Sequence, residues 1–368
     1  MKKERLQYCD ALKTIAIFLI VAIHVLAFFR DTYVSTNKLY YTLITFVDSL
    51  TRVGVPIFFM ITGTFMLSKK REEKYSTYLL KRLPKLVIPF FLISIIYYLY
   101  ENNKNGTTGS LLNFLQVFTS SGGVKYHFWF MYIIIMIYIF IPFLRVLVQN
   151  LKKKELRNLI IIIFVLGNVL KTINYYLGNY NYNLFRGFCL SDLVTYINYV
   201  LLGYYLYTYE VNTALRKKIY ILGIIFILIL PFADMLYIDN SRNDAMLTCV
   251  SIFPFIPSIA FYLLFKYNYN QWKVPAIITK IINIIAPVTL YIYLLHVIIM
   301  EVVMKLINKF WFPQNIFENA IYYFGVYIIT FIITSILAII CNRIYHFCEI
   351  KVNGIIKKKE SANEKSSD

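Results

Sequence analysis

Long apolar stretches alternate with short polar segments along the whole chain. The apolar stretches are roughly 17 to 25 residues long, which is the length that a helix needs to cross a bilayer. They lie near residues 14–30, 43–67, 84–100, 127–148, 159–177, 193–209, 219–237, 246–265, 281–304 and 320–347. This pattern predicts an all-α, polytopic membrane helical bundle of about ten transmembrane helices, give or take one.

The composition agrees with a membrane protein. The chain has 368 residues, of which 59% are hydrophobic, against about 45 to 50% in soluble domains. A net charge of +19 would suggest a nucleic-acid partner in a soluble protein, but here the basic residues follow the loops between apolar stretches. We therefore expect a multi-pass protein of the cell membrane, in contact with lipid, that does not bind nucleic acid.

The basic residues are concentrated in alternate loops. If the N-terminus is cytoplasmic, 28 of the 38 Lys and Arg residues lie on the cytoplasmic side and nine on the opposite side, with Arg52 inside a span. Cytoplasmic loops of membrane proteins carry an excess of such residues. The bias therefore predicts that both termini are cytoplasmic and that the number of spans is even.

The chain is predicted to hold one membrane domain and a short tail. The membrane domain covers residues 1–350, and the polar segment 351–368 lacks apolar periodicity, so we expect it to be a disordered basic tail in the cytoplasm. The first apolar run ends without a small-residue cleavage site, which favours a retained anchor over a signal peptide. The five cysteines show no metal-ligand spacing, and no metal site is expected.

Ionisable residues stand out in the first span. Lys13 and His24 are eleven residues apart, which is about three helical turns, so both lie on nearly one face and are separated by about 16 Å along the axis. Asp10 joins this face one turn earlier. A charged group at the centre of a membrane helix costs roughly 2.5 to 3.5 kcal/mol. These three residues are therefore candidates for a functional site.

The chain has four histidines, and the predicted topology places three of them, His24, His127 and His296, in the outer half of the bundle. His346 falls at the cytoplasmic end of the last span. A histidine in a span can also serve as a hydrogen-bond partner of a neighbouring helix. Imidazole can take a proton from a hydroxyl and return it near neutral pH, or accept an acyl group itself. His24 is the catalytic candidate on either basis.

The cations near the cytoplasmic side suggest where an anionic donor would bind. Lys13 could contact such a donor or stabilise an oxyanion, with Asp10 orienting or neutralising it, although an ordinary positive-inside anchor is the alternative. Arg82 and Lys85 stand at the entrance of the third span and could hold nucleotide phosphates, and a generic basic loop explains them equally well.

A hydroxyl and a glycine, Thr62 and Gly63, lie within the second apolar span. A small residue at this place permits another helix to approach closely. Packing alone is one explanation of the pair, and a substrate contact of the hydroxyl is the other.

Four segments in chain order resemble the acyltransferase-3 family of integral-membrane O-acyltransferases. They are Asp10, Lys13 and His24 in the first span, Phe58-Phe59-Met60-Ile61-Thr62-Gly63 in the second, His127-Phe128-Trp129-Phe130 followed by Tyr138 and Pro142 in the fourth, and Ile292-Tyr293-Leu294-Leu295-His296 near the end. Lys13 stands where many members have Arg, and Thr62 where Ser is commoner. The resemblance covers almost the whole chain.

The resemblance implies that residues 1–350 form an acyl-CoA-dependent O-acyltransferase domain. The expected reaction passes an acetyl group to a sugar hydroxyl of a cell-surface glycan or its lipid-linked precursor. Acetyl-CoA would be a donor substrate, and no bound cofactor is expected. The implied roles are catalytic for His24, Lys13 and Asp10, donor-binding for Lys13, Arg82 and Lys85, and acceptor-binding for His127, Trp129, His296 and Thr62.

Two other functions are compatible with ten spans and buried polar groups. One is a membrane transporter or a flippase of lipid-linked glycans, and the other is a small-molecule sensor or carrier. The order of the four motifs favours the enzyme. The sequence leaves the acceptor, the acyl group and the oligomeric state open.

Overall fold

The computed structural model describes residues 6–68, 73–120, 123–178, 185–237 and 244–365. These residues form fifteen α-helices and no strand: α1 Gln7–Asp31, α2 Lys38–Thr51, α3 Gly54–Met66, α4 Tyr75–Arg82, α5 Pro84–Asn105, α6 Leu111–Thr119, α7 Trp129–Asn150, α8 Lys153–Phe164, α9 Leu170–Gly178, α10 Asp192–Thr208, α11 Thr213–Tyr237, α12 Phe255–Asn268, α13 Ala276–Ile285, α14 Thr289–Ile307 and α15 Ile316–Lys365. The predicted all-α bundle is confirmed.

Eight helical stretches within the described residues are long and apolar enough to cross a membrane. They are Gln7–Asp31, Lys38–Met66, Tyr75–Asn105, Tyr126–Asn150, Lys153–Leu177, Thr213–Leu236, Ala276–Ile307 and Ile316–Glu349. The chain is therefore a multi-pass membrane protein. The remaining two predicted spans coincide with α10, of 17 residues, and α12, of 14 residues, so the count of about ten stays a prediction.

The segment just before α12 is irregular, and the protein itself satisfies its backbone. Asn168 donates through Nδ2 to the carbonyl oxygen of Cys249 at 3.3 Å and to that of Ser251 at 3.2 Å. The hydroxyl of Tyr199 donates to the same Cys249 carbonyl at 2.7 Å. Irregular backbone at membrane depth is tolerated only where protein or a water-filled cavity surrounds it. These side chains therefore permit a non-helical wall inside the bundle.

Two glycines let α3 and α10 cross with their backbones in contact. A Cβ atom at Gly63 would overlap the backbone of Val200, and one at Gly203 would overlap the backbone of Met60. The close helix approach predicted at Gly63 is confirmed, and its partner is α10. Small residues at such crossings are how membrane helices gain packing contacts without a hydrophobic driving force between them.

Helix α1 lies at the centre of the bundle, in contact with α2, α3, α14 and α15. Most of its surface is packed, with Leu12, Ile17 and Val21 at 0% exposure. Lys13 and His24 lie on nearly one face and remain partly exposed. Both line the cavities of the site.

The last helix continues into the predicted tail. Helix α15 runs without a break from Ile316 to Lys365 and so enters the segment 351–368, whose expected disorder stays a prediction. Lys, Glu and Ala are good helix formers, and extending an existing helix avoids the cost of nucleation. The domain boundary at residue 350 stays a prediction.

Candidate active site

Among the cavities in the described part of the chain, two lie along α1, one of about 810 Å³ and one of about 270 Å³. We call the larger the outer cavity and the smaller the inner cavity, after the sides that the distribution of basic residues predicts. The polar side chains that line the outer cavity include His24, Arg52, Tyr126, Trp129, Asp192, Tyr196 and Thr248. The polar side chains that line the inner cavity are Lys13, Thr62, Tyr138, Thr289 and Tyr293.

The two cavities are stacked along the helix axes. Along α1, Lys13 lines the inner cavity and His24 the outer one. Along α7, which runs in the opposite predicted direction, Trp129 lines the outer cavity and Tyr138 the inner one. Two antiparallel helices thus give the same order, with the inner cavity toward the predicted cytoplasmic side.

Phe130 and Tyr293 form the wall between the cavities. Both side chains line both cavities, and their ring centroids are 4.9 Å apart. Phe130 also packs against Phe59 of α3, with 5.1 Å between the ring centroids. A group passing from one cavity to the other must therefore move past these aromatic rings.

Three histidines that are far apart in sequence meet at the wall of the outer cavity. The ring centroid of His24 is 4.9 Å from that of His296 and 6.0 Å from that of His127, and His127 and His296 are 5.2 Å apart. We call these three residues the histidine cluster. The structure thus brings together the three histidines that the predicted topology placed in one half of the bundle.

The members of the histidine cluster differ in their access to the cavity. His24 lines the outer cavity, whereas His127 and His296, at 1% and 0% exposure, are buried behind it. Both are expected to line the acceptor side; neither lines the outer cavity, and their role in acceptor binding stays a prediction. Of the predicted acceptor contacts, Trp129 lines the outer cavity, while Thr62 lines the inner one.

Neighbouring groups fix the orientation of the cluster. Nδ1 of His296 lies 2.6 Å from the carbonyl oxygen of Tyr293. Because a carbonyl oxygen can only accept, Nδ1 carries the proton and donates. In neutral His296 the nitrogen without a proton is therefore Nε2. The hydroxyl of Tyr293 donates to the carbonyl oxygen of His127. The hydroxyl of Tyr126 lies 3.4 Å from Nδ1 of His24. These contacts hold the rings of His24 and His296 and the backbone of His127.

An ionic contact holds the segment that leads into His127. Lys125 pairs with Glu101 of α5 and with Glu301 of α14, the latter at 2.6 Å. Burial disfavours the charged form of Lys125, but the two carboxylates favour it more strongly, so the pKa of Lys125 lies above its ordinary value. Lys125 therefore stays charged and ties α5 and α14 to the start of α7.

Lys13 lies at the inner cavity, with its Nζ 4.8 Å from the ring centroid of Phe65. This is a cation–π contact, which stabilises an ammonium group away from bulk water. Asp10 is buried one turn earlier on the same helix. Thr62 donates its hydroxyl to the carbonyl oxygen of Phe58 at 2.9 Å, so its hydroxyl oxygen remains available as an acceptor.

Arg82 and Lys85, the other predicted donor contacts, are each paired with a carboxylate. Arg82 binds Glu73 at 2.9 Å and Lys85 binds Glu349 at 2.8 Å. The hydrogen bond from Arg82 holds the pKa of Glu73 below its ordinary value. Neither cation belongs to the lining of the inner cavity. Their role in donor binding stays a prediction.

The structure adds two features that the motifs did not single out. Asp48 pairs with Arg52 and, at 3.1 Å, with Arg30, and Arg52 lines the outer cavity. Tyr196 stacks obliquely against Trp129, with 5.3 Å between the ring centroids. An Asp and an Arg four residues apart in an apolar span are the sequence signal that points to the first feature.

A metal centre was not expected, and that expectation stays a prediction. Among the residues that the structure describes, no group of three or more His, Cys, Asp or Glu side chains is arranged to hold a metal ion.

The comparisons with known proteins bear on the whole chain. Neither the curated proteins nor the solved structures gave a match. A family model described as an acyltransferase domain matches residues 6–339, a range that contains both cavities and the histidine cluster. The chain therefore belongs to acyltransferase family 3 and is a membrane acyltransferase.

Proposed function

We propose that the protein transfers an acetyl group from acetyl-CoA to a sugar hydroxyl of a cell-surface glycan or of its lipid-linked precursor, in the cell membrane. The observation that carries the proposal is the position of His24, which joins the buried histidine cluster to the outer cavity. Lys13 lies on the same helix at the inner cavity. The two residues give the site a donor side and an acceptor side.

The donor enters from the cytoplasmic side. Lys13 at the inner cavity binds an anionic part of acetyl-CoA, and Arg82 and Lys85 bind its nucleotide phosphates nearer the cytoplasm, in exchange for their present carboxylate partners. Lys13 and His24 are about 16 Å apart along α1. The thioester at the end of the long flexible arm of CoA must therefore pass the wall formed by Phe130 and Tyr293.

The acceptor occupies the outer cavity. A cavity of about 810 Å³ is in the range of roughly 300 to 1,000 Å³ that is usual for ligand sites. Trp129 and Tyr196 offer adjacent aromatic faces against which the apolar face of a sugar ring can pack. The sugar hydroxyl then lies in the same cavity as the imidazole of His24.

The chemical step needs one proton transfer in each direction. His24 takes the proton of the sugar hydroxyl while the oxygen forms a bond to the carbonyl carbon of the thioester. The carbon–sulfur bond then breaks, and the proton passes from His24 to the departing CoA sulfur. A general base placed in this way contributes typically about 10²- to 10⁴-fold to the rate. The alternative order, in which His24 first accepts the acetyl group itself, uses the same residues and releases the same products.

His127 and His296 act as positioning residues in this proposal. Both are buried against the ring of His24, and the hydrogen bond from Nδ1 leaves Nε2 of His296 unprotonated. They keep the imidazole of His24 directed into the cavity and provide a low-dielectric surrounding in which charge interactions are strong. Asp10, one turn before Lys13, orients the donor-side cation.

The first test is the incorporation of acetyl groups into surface glycan in cells that carry His24→Ala. We expect incorporation to fall by about 100-fold or more, with the amount of protein in the membrane verified. His346→Ala is the matched control, because His346 is exposed and pairs with Glu349 at the other end of the molecule. Unchanged incorporation with His24→Ala would overturn the catalytic assignment.

A second measurement separates the enzyme from a transporter. Purified protein in detergent should release free CoA from acetyl-CoA when a suitable glycan is added, and the acetyl group should appear on the glycan. Movement of an unmodified solute into vesicles, without consumption of acetyl-CoA, would contradict the proposal.

A further inference from the structure

Arg52 is a cation at the surface of the outer cavity. It lies at the C-terminal end of α2, just before α3 begins, and its side chain is 10% exposed. His24 and Trp129 line the same cavity. The reaction proposed above gives Arg52 no role, although a charged side chain within a membrane bundle is costly unless it serves a ligand or a partner.

A buried network holds the guanidinium of Arg52 in one orientation. Asp48, at 0% exposure, accepts from Nε of Arg52 at 3.1 Å and also from Nη2. The other partners of Asp48 are Thr51, which donates at 2.8 Å, and Arg30, at 3.1 Å. Such a two-point pairing fixes the plane of a guanidinium. The edge of the Arg52 guanidinium that does not face Asp48 is therefore held in a fixed orientation.

A second carboxylate joins the network away from the cavity. The hydroxyl of Tyr41 donates to Asp234 at 2.7 Å and accepts from Nη1 of Arg30 at 3.4 Å. Asp234 thus reaches the network through Tyr41 and Arg30. The charged group of this network that lines the outer cavity is the guanidinium of Arg52.

Counting donors shows that Arg52 has capacity left for a ligand. A guanidinium has five N–H donors, of which two are used by Asp48, and one more points to the carbonyl oxygen of Leu247 at 3.5 Å. Within the described part of the chain no other acceptor bonds to Arg52, and the cavity lies beside it. Asp192, which also lines the cavity, is already paired with Lys171. An incoming anionic oxygen group would meet two directed donors and a positive charge.

We propose that the acceptor carries an anionic oxygen group, a carboxylate or a phosphate, and that Arg52 binds this group while the neighbouring sugar hydroxyl faces His24. This inference rests on the proposed function, whose acceptor it narrows to acidic glycans or phosphate-linked precursors. Charge-assisted bonds from Arg to carboxylate or phosphate are roughly twice as strong as bonds between neutral groups. Arg52 would therefore select among acceptors rather than take part in proton transfer.

The test uses two pairs of probes that differ in the anionic group. The first pair is an oligosaccharide that contains a uronic acid and the same oligosaccharide with its carboxyl methyl-esterified. The second pair is a sugar on a short-chain prenyl diphosphate and the same sugar on a neutral prenyl ether. Binding to purified full-length protein and acetyl transfer from acetyl-CoA are measured separately for each probe. The pair that shows a preference identifies whether the anion is a carboxylate or a phosphate.

We expect the wild-type protein to bind the anionic member of one pair more tightly than the neutral one. Arg52→Gln should weaken binding of the anionic member by about 10- to 100-fold, as expected for a hydrogen bond to a charged group, and leave the neutral member within about twofold. Arg52→Lys keeps the positive charge beside Asp48 but loses the paired N–H donors of the guanidinium. It should therefore show an intermediate loss of binding to the anionic probe, even if Arg52→Gln does not fold. Arg186→Gln, which removes an exposed arginine on the same predicted side, is the control and should change nothing.

The outcomes separate this inference from the function on which it rests. Equal binding of charged and neutral probes by wild type, or a preference that persists in both Arg52 variants, overturns the anion site. An anion preference that depends on Arg52, without acetyl transfer to any probe, supports the site and contradicts the proposed reaction. Acetyl transfer that is lost equally for charged and neutral probes in Arg52→Lys would show a structural role for Arg52 and overturn its role in selectivity.

Discussion

The outer and inner cavities differ in the chemistry of their walls, although α1, α3, α7 and α14 line both. The outer cavity has the imidazole of His24, the guanidinium of Arg52 and the aromatic faces of Trp129 and Tyr196. The inner cavity is about a third of its volume and is mostly apolar, with the ammonium of Lys13 as its cation. The outer one is equipped to recognise a polar molecule and move a proton, whereas the inner one is equipped to hold a narrow apolar arm with an anionic end.

The difference indicates that a single helix, α1, can contribute residues to the sites of two substrates, the donor and the acceptor. Because α1 carries Lys13 at one cavity and His24 at the other, its length sets the distance that the acyl group must travel. The wall of Phe130 and Tyr293 then decides which groups pass. Each of the following changes acts on one side of this division, on the wall, or on the frame that supports both.

The largest expected effect comes from the frame shared by the two cavities. Gly63→Ala would place a Cβ atom against the backbone of Val200 where α3 crosses α10, and overpacking of this kind costs about 3 kcal/mol. We expect a clear fall in the thermal unfolding temperature of the detergent-purified protein, with loss of activity toward donor and acceptor alike. Gly325→Ala is the matched control, because a Cβ there meets nothing within 4 Å, and it should leave stability unchanged or raise it slightly. Equal stability of the two variants would contradict the backbone contact.

The next effect should be confined to the inner cavity. Lys13→Gln removes the cation that is proposed to bind the donor, and we expect kcat/KM for acetyl-CoA to fall by about 10- to 100-fold, since a hydrogen bond to a charged group is typically worth about 1.5 to 3 kcal/mol. The KM for the acceptor should not change. Lys280→Gln removes an exposed lysine on the same predicted side and serves as the control. A rise in the acceptor KM with Lys13→Gln would break the division into a donor side and an acceptor side.

Much of this arrangement could be predicted from the sequence, because its signals are local. Nine of the ten predicted apolar stretches coincide with helical segments over most of their length, and the tenth, 246–265, is α-helical only from Phe255; an apolar stretch of about twenty residues leaves few other structures possible. The spacing of Lys13 and His24 follows from helix geometry alone. The meeting of the three histidines follows from the alternating direction of the spans, which places residues of distant segments at similar depth.

The remaining features depend on how each helix is rotated about its axis. The sequence places His127 and His296 at the right depth, but not behind His24, because depth does not determine which side of a helix faces a cavity. The pairing of Asp48 with Arg30 and the wall of Phe130 and Tyr293 likewise join residues of different helices. The helix that enters the tail has a different physical basis: a polar segment without apolar periodicity can still extend a helix that packing has already formed.

A moderate effect is expected at the wall. Phe130→Ala removes a ring that separates the cavities, so acyl groups longer than acetyl should pass more easily. Discrimination by one methylene in an apolar pocket is worth about 1 to 3 kcal/mol. We expect the ratio of kcat/KM for butyryl-CoA to that for acetyl-CoA to rise by about tenfold. Phe140→Ala, which truncates a partly exposed ring on the same helix, is the control, and an unchanged ratio in Phe130→Ala would show that the acyl group does not pass this wall.

The smallest effect should come from the hydroxyl of Tyr293, which belongs to the wall and to the support of the histidine cluster at once. Tyr293→Phe keeps the ring between the cavities but removes the hydrogen bond to the carbonyl oxygen of His127. A single hydrogen bond contributes about 1 kcal/mol, so kcat should fall by about fivefold while the preference for acetyl over longer groups stays the same. Tyr291→Phe, on the same helix but outside the cluster, should leave both quantities unchanged. If Tyr293→Phe instead altered acyl-chain preference and left kcat intact, the hydroxyl would act on the passage between the cavities, and the histidine cluster would owe its orientation to packing alone.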